Sequence, residues 1–238
     1  MSSNNGLEII ESCLACEFRA DRLFCDLSAS ALETLDALKY TNLYPKGAVL
    51  FAEGQSPRGI FVLCRGRAKL STVLSNDKTR IMQIGDEGEV LGLSATLSGR
   101  PYEATAETLC QSQVNFIKRD DFLRFLANYP EVCLRVAHQV SNNYQAAFEQ
   151  VRLLALAQPA AERLARLLLE WCEEGEQTDQ GVRLRLNLTQ EEIAQVIGTS
   201  RETVTRLLGE FKHRNVIHTK GSTMLICDKS ALGEVARR

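Results

Sequence analysis

One short segment of the chain, residues 199–211, is rich in side chains that suit the edges of DNA bases. Arginine can donate two hydrogen bonds to guanine, and glutamate can accept one from the amino group of cytosine. A threonine methyl suits thymine, and a carboxylate near DNA is repelled by phosphate unless it meets a base. The residues that share this outward face of a predicted helix are Arg201, Glu202, Thr205 and Arg206. The pattern predicts sequence-specific contact with double-stranded DNA.

Three cysteines near the start of the chain could hold a metal centre. Two residues separate Cys13 from Cys16, and eight separate Cys16 from Cys25. Thiolates are soft ligands that bind iron–sulfur clusters or zinc. A thiol switch and a purely structural role are the alternative interpretations. Of the other cysteines, Cys172 and Cys227 lie in the C-terminal part and are predicted to be structural.

Enzymatic chemistry is not indicated. The chain has three histidines, His138, His213 and His218, and none has a partner at the spacing of a metal site or a catalytic triad. No phosphate-binding loop or nucleophile elbow is present in the sequence. We therefore predict that the protein is not an enzyme.

The base-contacting residues belong to a predicted helix-turn-helix. Thr189 is a good N-cap with Glu192 three residues later, and Gly198 suits the left-handed turn that ends the first helix. Ser200 can cap the second helix, whose buried stripe is Val204, Leu207, Leu208 and Phe211. An ordinary helical hairpin with a charged face is the alternative. A strand, VRLRLNL, precedes this motif, and a hairpin turning at Lys220 and Gly221 follows it. Lys220 is placed either for phosphate contact or as a solvated turn residue.

Two other regions differ in their hydrophobic period. Residues 28–120 contain short apolar runs separated by glycine-bearing turns, which predicts an antiparallel β-barrel or jelly roll. The segment FLRFLAN, capped by Asp120 or Asp121, and a helix over 131–157 come next. The longer helix carries an apolar seam at Val132, Val136, Val140, Asn143, Ala147, Val151 and Leu154. We predict that this seam packs against its copy in a homodimer; an intramolecular bracing helix is the alternative.

Composition and charge distribution agree with a soluble DNA-binding protein. Residues 181–238 contain ten Lys and Arg against six Asp and Glu, a net charge of +4, although the whole chain has −2. A local basic excess favours phosphate contact. The sequence has no run long enough to cross a bilayer, and its start lacks a basic and apolar leader. We expect a cytoplasmic protein without membrane contact, in which the eight cysteines are reduced or metal-bound.

The order of barrel, long helix and winged helix-turn-helix resembles the CRP/FNR superfamily of bacterial transcription regulators. The resemblance extends over residues 10–232, on the motifs PKGAVLFAEGQSPRGIFVLCRGRAKL and IAQVIGTSRETVTRLLGEF. The fold class expected is α+β. Its parts are a cysteine-bearing segment over 1–27, a barrel over 28–129, a dimerisation helix over 130–157 and a DNA-binding domain over 158–238. The resemblance implies a homodimer that binds RNA polymerase and an inverted-repeat DNA site with half-sites roughly 34 Å apart.

The same resemblance suggests which bases are contacted. It implies that Glu202 and Arg206 contact the inner G·C pair of a TGA-type half-site. Arg201 resembles the CRP-like branch, which contacts an additional outer guanine, whereas Thr205 resembles the FNR-like branch, which favours thymine. Thr189, Ser200 and Lys220 are expected to support the contact with DNA.

The resemblance also bears on the signal that the barrel senses. Leu93 stands where the cAMP-binding branch has a ribose-binding glutamate, and Tyr102 and Glu103 stand near its Arg-Ser pair. Arg100 could substitute for the missing arginine, and a haem ligand is another possible effector. The cysteine trio resembles FNR-type oxygen sensors, which implies a [4Fe–4S] cluster held by Cys13, Cys16, Cys25 and a barrel cysteine. We predict Cys110 as this fourth ligand, although Asn115 aligns nearer the family position and Cys64 and Cys133 are alternatives.

Overall fold

The computed structural model describes residues 9–19, 22, 25–74, 79–155, 159–173, 175–186 and 188–237. The side chains of residues 149–155 are not described, so the predicted seam residues Val151 and Leu154 lie outside the described part of the structure. The chain divides into two units, Met1–Ala147 and Phe148–Arg238. This division falls within the long helix, whereas the sequence analysis placed domain boundaries on either side of it.

Strands in the described part of the first unit form two four-stranded antiparallel sheets. In chain order they are β1 (Tyr40–Tyr44), β2 (Val49–Phe51), β3 (Gly59–Arg65), β4 (Ala68–Val73), β5 (Thr79–Gly85), β6 (Val90–Leu91), β7 (Thr105–Thr108) and β8 (Ser112–Lys118). One sheet has the order β1-β8-β3-β6 and the other β2-β7-β4-β5. The antiparallel barrel predicted from the sequence is confirmed.

Strand β3 separates two apolar cores, because successive side chains of a strand point to opposite faces. Phe61 and Leu63 face the other sheet and fill the barrel interior together with Phe51 and Val114. The intervening residues of β3 face outward, where helices and the N-terminal segment cover them; these residues are Ile60, Val62 and Cys64. The barrel therefore has a second core on its outer surface.

The helices of this outer layer are α1 (Ala29–Leu38), α2 (Leu93–Ser98), α3 (Arg119–Asn128) and α4 (Pro130–Ala155). Pro130 opens α4, as its fixed φ angle and missing N–H permit at a first helical position. The predicted capping role of Asp120 and Asp121 is wrong, because α3 begins earlier, with Lys118 as N-cap, and both carboxylates lie in its first turn. Helix α2 was not predicted; it is short and lies between Gly92 and Gly99.

The second unit is a winged helix-turn-helix, as predicted. Its elements are α5 (Ala160–Trp171), β9 (Glu176–Thr178), β10 (Gly181–Arg185), α6 (Gln190–Ile197), α7 (Arg201–His213), β11 (Ile217–Lys220), β12 (Thr223–Ile226) and α8 (Lys229–Ala236). The strands form one sheet in the order β11-β12-β10-β9. Helix α8, also not predicted, is tied to α5 by two hydrogen bonds from Arg166 to the carbonyl of Ala236. Among the described helices, none is both long and apolar enough to span a membrane.

Candidate functional site

Local hydrogen bonds fix the turn between α6 and α7. The Thr189 hydroxyl accepts from the Glu192 amide at 3.2 Å, and the Glu192 carboxylate accepts from the Thr189 amide at 2.9 Å, which is a complete capping box. Gly198 has a φ of 65°, in the left-handed region that only glycine adopts without strain. Arg163 from α5 donates at 2.6 Å to the carbonyl of Ile197, one of the groups left unpaired at a helix end. The capping box, the left-handed Gly198 and the hydrogen bond from Arg163 therefore all fix the turn that leads into α7.

Helix α7 buries one face and exposes the other. The Ser200 hydroxyl accepts from the Thr203 amide at 3.3 Å and caps its N-terminus. Its inward stripe is the predicted one, Val204, Leu207, Leu208 and Phe211, and all four are buried. The opposite face is exposed and carries Arg201, Glu202, Thr205 and Arg206. The four predicted base-contacting residues thus share one solvent-facing surface, which we call the DNA-facing surface.

Hydrogen bonds within the second unit pre-position this surface. Arg206 forms an ion pair with Glu210, one turn later in α7. The single hydroxyl proton of Thr205 is shared between two acceptors, the Arg201 carbonyl at 2.9 Å and the Gln190 side-chain carbonyl, so its methyl group is the part left for a base. Gln190 was missed by the sequence analysis, because its link to Thr205 joins two different helices.

The Glu202 carboxylate stays ionised at neutral pH. Hydrogen bonds from its own backbone amide and from the Ser200 hydroxyl lower its pKa below the usual range. A negative group at a helix N-terminus is also favoured by the helix dipole. Glu202 can therefore accept a hydrogen bond from cytosine without first losing a proton.

The wing of the second unit offers a further basic residue. Strands β11 and β12 pair from Ile217 opposite Ile226 to Lys220 opposite Thr223. Gly221 turns the chain with a φ of 59°, and Lys220 beside it is exposed. The predicted position of Lys220 at the tip of a hairpin is confirmed, and its contact with phosphate stays a prediction.

The cysteine trio is brought together against the outer core of the barrel. Cys25 packs in the same apolar core as Cys64 of β3, and the thiols of Cys13 and Cys25 interact electrostatically with each other and with that of Cys64. Cys16 interacts electrostatically with Cys25, and its amide donates to the Cys13 carbonyl at 3.4 Å. In the described part of the chain, no group of three His, Cys, Asp or Glu side chains already surrounds a metal-sized position.

Burial controls the protonation of these thiols. Removal from water raises the pKa of Cys13 to about 12, of Cys25 to about 11 and of Cys64 to about 12. Nearby cations act in the opposite direction: Lys39 lowers the pKa of Cys13, and Arg22 lowers that of Cys25. Without a metal these three thiols are therefore neutral at physiological pH, although positive charge is available to offset thiolates.

The other cysteines lie elsewhere. Cys110 is in the turn between β7 and β8, with its sulfur 4.0 Å from the Ser112 hydroxyl oxygen. Cys133 is exposed on α4, and its thiol bonds the Leu126 carbonyl. Cys172 is buried in the core of the second unit, which agrees with a structural role, whereas Cys227 is exposed.

Two family models match successive parts of the chain. A cyclic nucleotide-binding domain model matches residues 41–129, and a Crp-like helix-turn-helix domain model matches residues 162–235. Together they span the barrel and the winged helix in the order predicted. The chain belongs to the CRP/FNR family. It is a CRP-like, DNA-binding transcription regulator.

Individual CRP/FNR relatives are similar over most of their length. A CRP-like cAMP-activated global transcriptional regulator of Mycobacterium tuberculosis (strain ATCC 25618 / H37Rv) is 26% identical over 216 residues, which are 90% of this chain and 96% of the relative. The HTH-type transcriptional regulator Cmr of M. tuberculosis (strain CDC 1551 / Oshkosh) is 28% identical over 87% of this chain and 78% of its own. The structure of FixK2 from Bradyrhizobium japonicum has the same fold, with a TM-score of 0.74 at 20% identity, covering 83% of this chain and 96% of that one.

In this CRP/FNR protein, large or acidic side chains stand at the positions where the resemblance predicts the ligand contacts of the cAMP-binding branch. Leu93 and Tyr102 are each only 2% exposed. The Tyr102 hydroxyl donates to the Gly59 carbonyl at 2.7 Å, and its ring stacks on Phe51 with centroids 4.0 Å apart. Glu103 is exposed and bonds Ser94 at 2.7 Å. Leu93 therefore offers no carboxylate for ribose, and neither the buried Tyr102 nor the exposed Glu103 offers a cation for phosphate.

Helix α4 has two apolar faces, and part of the predicted seam lies on the face that packs against its own protomer. Val132 and Val136 are 0% and 6% exposed and belong to the core of their own protomer, so their predicted contact with a partner is wrong. Val140 and Ala147 are exposed, and Asn143 is half-buried. The exposed apolar face, which we call the seam face, consists of Leu134, Ala137, Val140, Tyr144 and Phe148. A groove of about 600 Å³ runs along it from Leu97.

Glu89 is a buried carboxyl whose protonation should change stability with pH. It lines a polar cavity of about 330 Å³ between the barrel and α4, with Arg22 and Asn143. Burial, and then the charge of Asp86, raises the pKa of Glu89 to about 7 from 4.5. Because the folded state holds this proton more tightly than the unfolded state, stability is expected to fall as the pH rises from about 4.5 to about 7.

Chemical denaturation across this pH range measures the effect. Glu89→Gln should remove its part of the pH dependence, and the exposed Glu103→Gln should leave the dependence as in the wild type. Parallel stability profiles for the wild type and Glu89→Gln would contradict the assignment.

Proposed function

We propose that this protein is a homodimeric, sequence-specific transcription regulator whose DNA binding is controlled by an oxygen- or redox-sensitive iron–sulfur cluster. The ligands are Cys13, Cys16, Cys25 and a fourth cysteine of the first unit. The observation that carries the proposal is the convergence of the three half-buried cysteines on the outer core of the barrel, beside Arg22 and Lys39. Four thiolates suit a [4Fe–4S] cluster.

The surroundings of the thiols fit such a group. Lys39 donates to the Cys13 sulfur at 3.6 Å, and the charge of Arg22 partly offsets the rise that burial causes in the pKa of Cys25. Positive charge and hydrogen bonds to sulfur both stabilise a thiolate-ligated centre, which carries net negative charge. A bound cluster would supply sensitivity to oxygen or nitric oxide, which free buried thiols of high pKa lack.

The segment that follows the trio is anchored to α4. Asp26, the residue after Cys25, forms an ion pair with Arg135 at 2.6 Å. The Ser28 amide donates to the Glu131 carboxylate at 3.3 Å. A change in the conformation of the cysteine segment would therefore act on the first two turns of α4. If two arrangements of α4 differ in affinity for DNA, the ligand state of the cysteines shifts the population between them.

The output is DNA binding by a dimer. The seam face of α4 is suited to a symmetric contact in which the same surface of both protomers is used. Each DNA-facing surface would then contact one half-site of an inverted repeat, with about one helical turn, roughly 34 Å, between them. RNA polymerase is the further partner expected of a regulator of this family, acting in the cytoplasm.

Cys16→Ala tests the sensing role, because it removes one predicted ligand at a half-buried position and keeps the β-carbon. Anaerobically reconstituted wild type should contain iron and sulfide and show broad visible absorption. The variant should bind more than about tenfold less iron per chain than the wild type. Its DNA affinity should no longer differ between anaerobic and aerated samples, as measured by fluorescence anisotropy.

Cys227→Ala is the matched control, because Cys227 is an exposed cysteine of the second unit. It should keep both the iron and the response to air. A Cys16→Ala protein that binds DNA as tightly as wild type, with and without air, would rule out the sensing role.

A second candidate is a CRP-like regulator that senses a small effector in the barrel. It is supported by the match to the cyclic nucleotide-binding domain model and by the M. tuberculosis relative described as cAMP-activated. The packing of Leu93 and Tyr102 argues against a cyclic nucleotide in the usual position. Calorimetric titration with cAMP separates the two functions, since saturable binding that raises DNA affinity would favour this candidate. A sharp Soret band in purified protein would instead indicate haem.

A further inference from the structure

The outward face of β3 carries a thiol toward the N-terminal segment. Ile60, Val62 and Cys64 pack in one apolar core on this face, and Cys25 packs against the same core. Cys64 lies where the pairing of β3 with β8 shifts register, between Leu63 and Arg65. Arg22 donates to the Cys64 carbonyl at 2.9 Å, and its own carbonyl accepts from the Cys25 amide at 2.9 Å. Arg22 therefore joins the backbones around the two cysteines.

Strand β8, the neighbour of β3, presents the same face to the N-terminal segment. The Gln113 side chain accepts from the Ile10 amide at 2.8 Å and donates to the Ile10 carbonyl at 2.7 Å. The segment that leads to Cys13 is thus held against this side of the sheet. Asn115, two residues along β8, shares the face and pairs opposite Val62 of β3.

Cys110 is directed away from that face. Side chains alternate along β8, so Ser112 faces the side opposite to Gln113, and it is fully buried. The Cys110 thiol lies against the Ser112 hydroxyl, and this hydroxyl donates to the Cys110 carbonyl at 2.9 Å. A cluster seated on Cys13, Cys16 and Cys25 therefore meets β3 and the Gln113 side of β8, and not the turn that carries Cys110.

We propose that Cys64, and not Cys110, is the fourth thiolate ligand and closes the site formed by Cys13, Cys16 and Cys25. The proposal rests on the proposed function, since it names the missing ligand of that same centre. Asn115, which aligns nearer the ligand position of FNR-type sensors, pairs opposite Val62, two residues before Cys64 in β3. The thiol has moved to the adjacent strand while staying on the same face of the sheet.

Ligation by Cys64 also changes its chemistry in a defined way. The buried thiol is neutral before binding, because desolvation raises its pKa to about 12. On cluster assembly each of the four thiols releases one proton to solvent, and each sulfur donates an electron pair to iron. Sulfide and equal amounts of ferrous and ferric iron, the oxidation states that the cluster contains, are supplied from outside, so no electron transfer to or from the protein is required.

The test compares matched variants of the full chain after anaerobic reconstitution with sulfide and equal amounts of ferrous and ferric iron. Cys64→Ala should lower the iron and sulfide per chain by more than about tenfold, and Cys110→Ala should leave both unchanged. Cys64→Val keeps an apolar side chain of similar size that suits a strand, and it should lose the cluster equally. Thermal unfolding of the apo-proteins identifies any loss caused by misfolding.

A second variant moves the thiol back across the strand pair. Asn115→Cys in the Cys64→Ala background should restore at least half of the bound iron, because the two positions share one face. Retention of the cluster by Cys64→Ala and Cys64→Val overturns the proposal, and so does its loss in Cys110→Ala alone. Wild-type protein that binds no cluster overturns the proposed function itself, an outcome distinguishable from both.

Discussion

Val140→Asp is expected to convert the protein to a monomer and to lower its affinity for a two-half-site DNA by at least about a hundredfold. Val140 lies on the exposed seam face of α4, so the substitution leaves the protomer core intact. In a symmetric dimer each substitution occurs twice, and two carboxylates would be buried in one apolar interface without partners. Losing the dimer also removes the gain from binding two half-sites together.

Analytical ultracentrifugation and anisotropy with full-site and half-site DNA measure the two effects. Asn142→Asp is the matched control, because it adds the same charge to α4 beside the polar cavity, away from the seam face. The control should sediment as a dimer and bind the full site normally. A dimeric Val140→Asp protein would show that the seam face is not the interface.

Arg206→Ala is expected to weaken binding to the preferred DNA site by about 1–3 kcal/mol for each half-site. Arg206 pairs with Glu210 in the free protein and can exchange this exposed ion pair for guanine. An exposed ion pair contributes at most about 1 kcal/mol, so the exchange costs little. We predict that the guanidinium contacts a base, so the loss should depend on sequence, and binding to unrelated DNA should change much less.

Arg183→Ala separates base contact from charge. Arg183 is also an exposed arginine of the second unit and also forms an ion pair, with Glu176 at 3.2 Å. Both variants lose one positive charge, but only Arg206→Ala should reduce the preference for the cognate site over competitor DNA. Equal losses on all sequences in Arg206→Ala would mean that Arg206 contacts only the phosphate backbone.

The winged helix could be predicted from the sequence because its signals are local. The capping box of Thr189 and Glu192, the left-handed Gly198 and the stripe of α7 each depend on residues within four positions along the chain. Such short-range rules also predicted that Arg201, Glu202, Thr205 and Arg206 share one face. The tertiary structure added Gln190 and Arg163, whose partners lie on other helices.

The long helix shows where periodicity fails. Its apolar residues at steps of three and four predicted one seam, but α4 has a core-facing side with Val132 and Val136 and an exposed side with Val140 and Tyr144. Spacing alone defines a stripe and does not state what covers it. The barrel packs against one side of α4, and this removed two residues from the predicted interface.

The cysteines show the same difference between what residue spacing predicts and what the tertiary structure decides. The sequence by itself determined that three thiols precede a barrel and that a DNA-contacting helix lies near the end of the chain, since these depend on residue type and short spacing. Only the tertiary structure decided that Cys64 faces Cys25 and that Cys110 faces Ser112. The face of a sheet on which a side chain lies is fixed by the register of strand pairing. Register depends on contacts between residues far apart in sequence, so local spacing does not predict it.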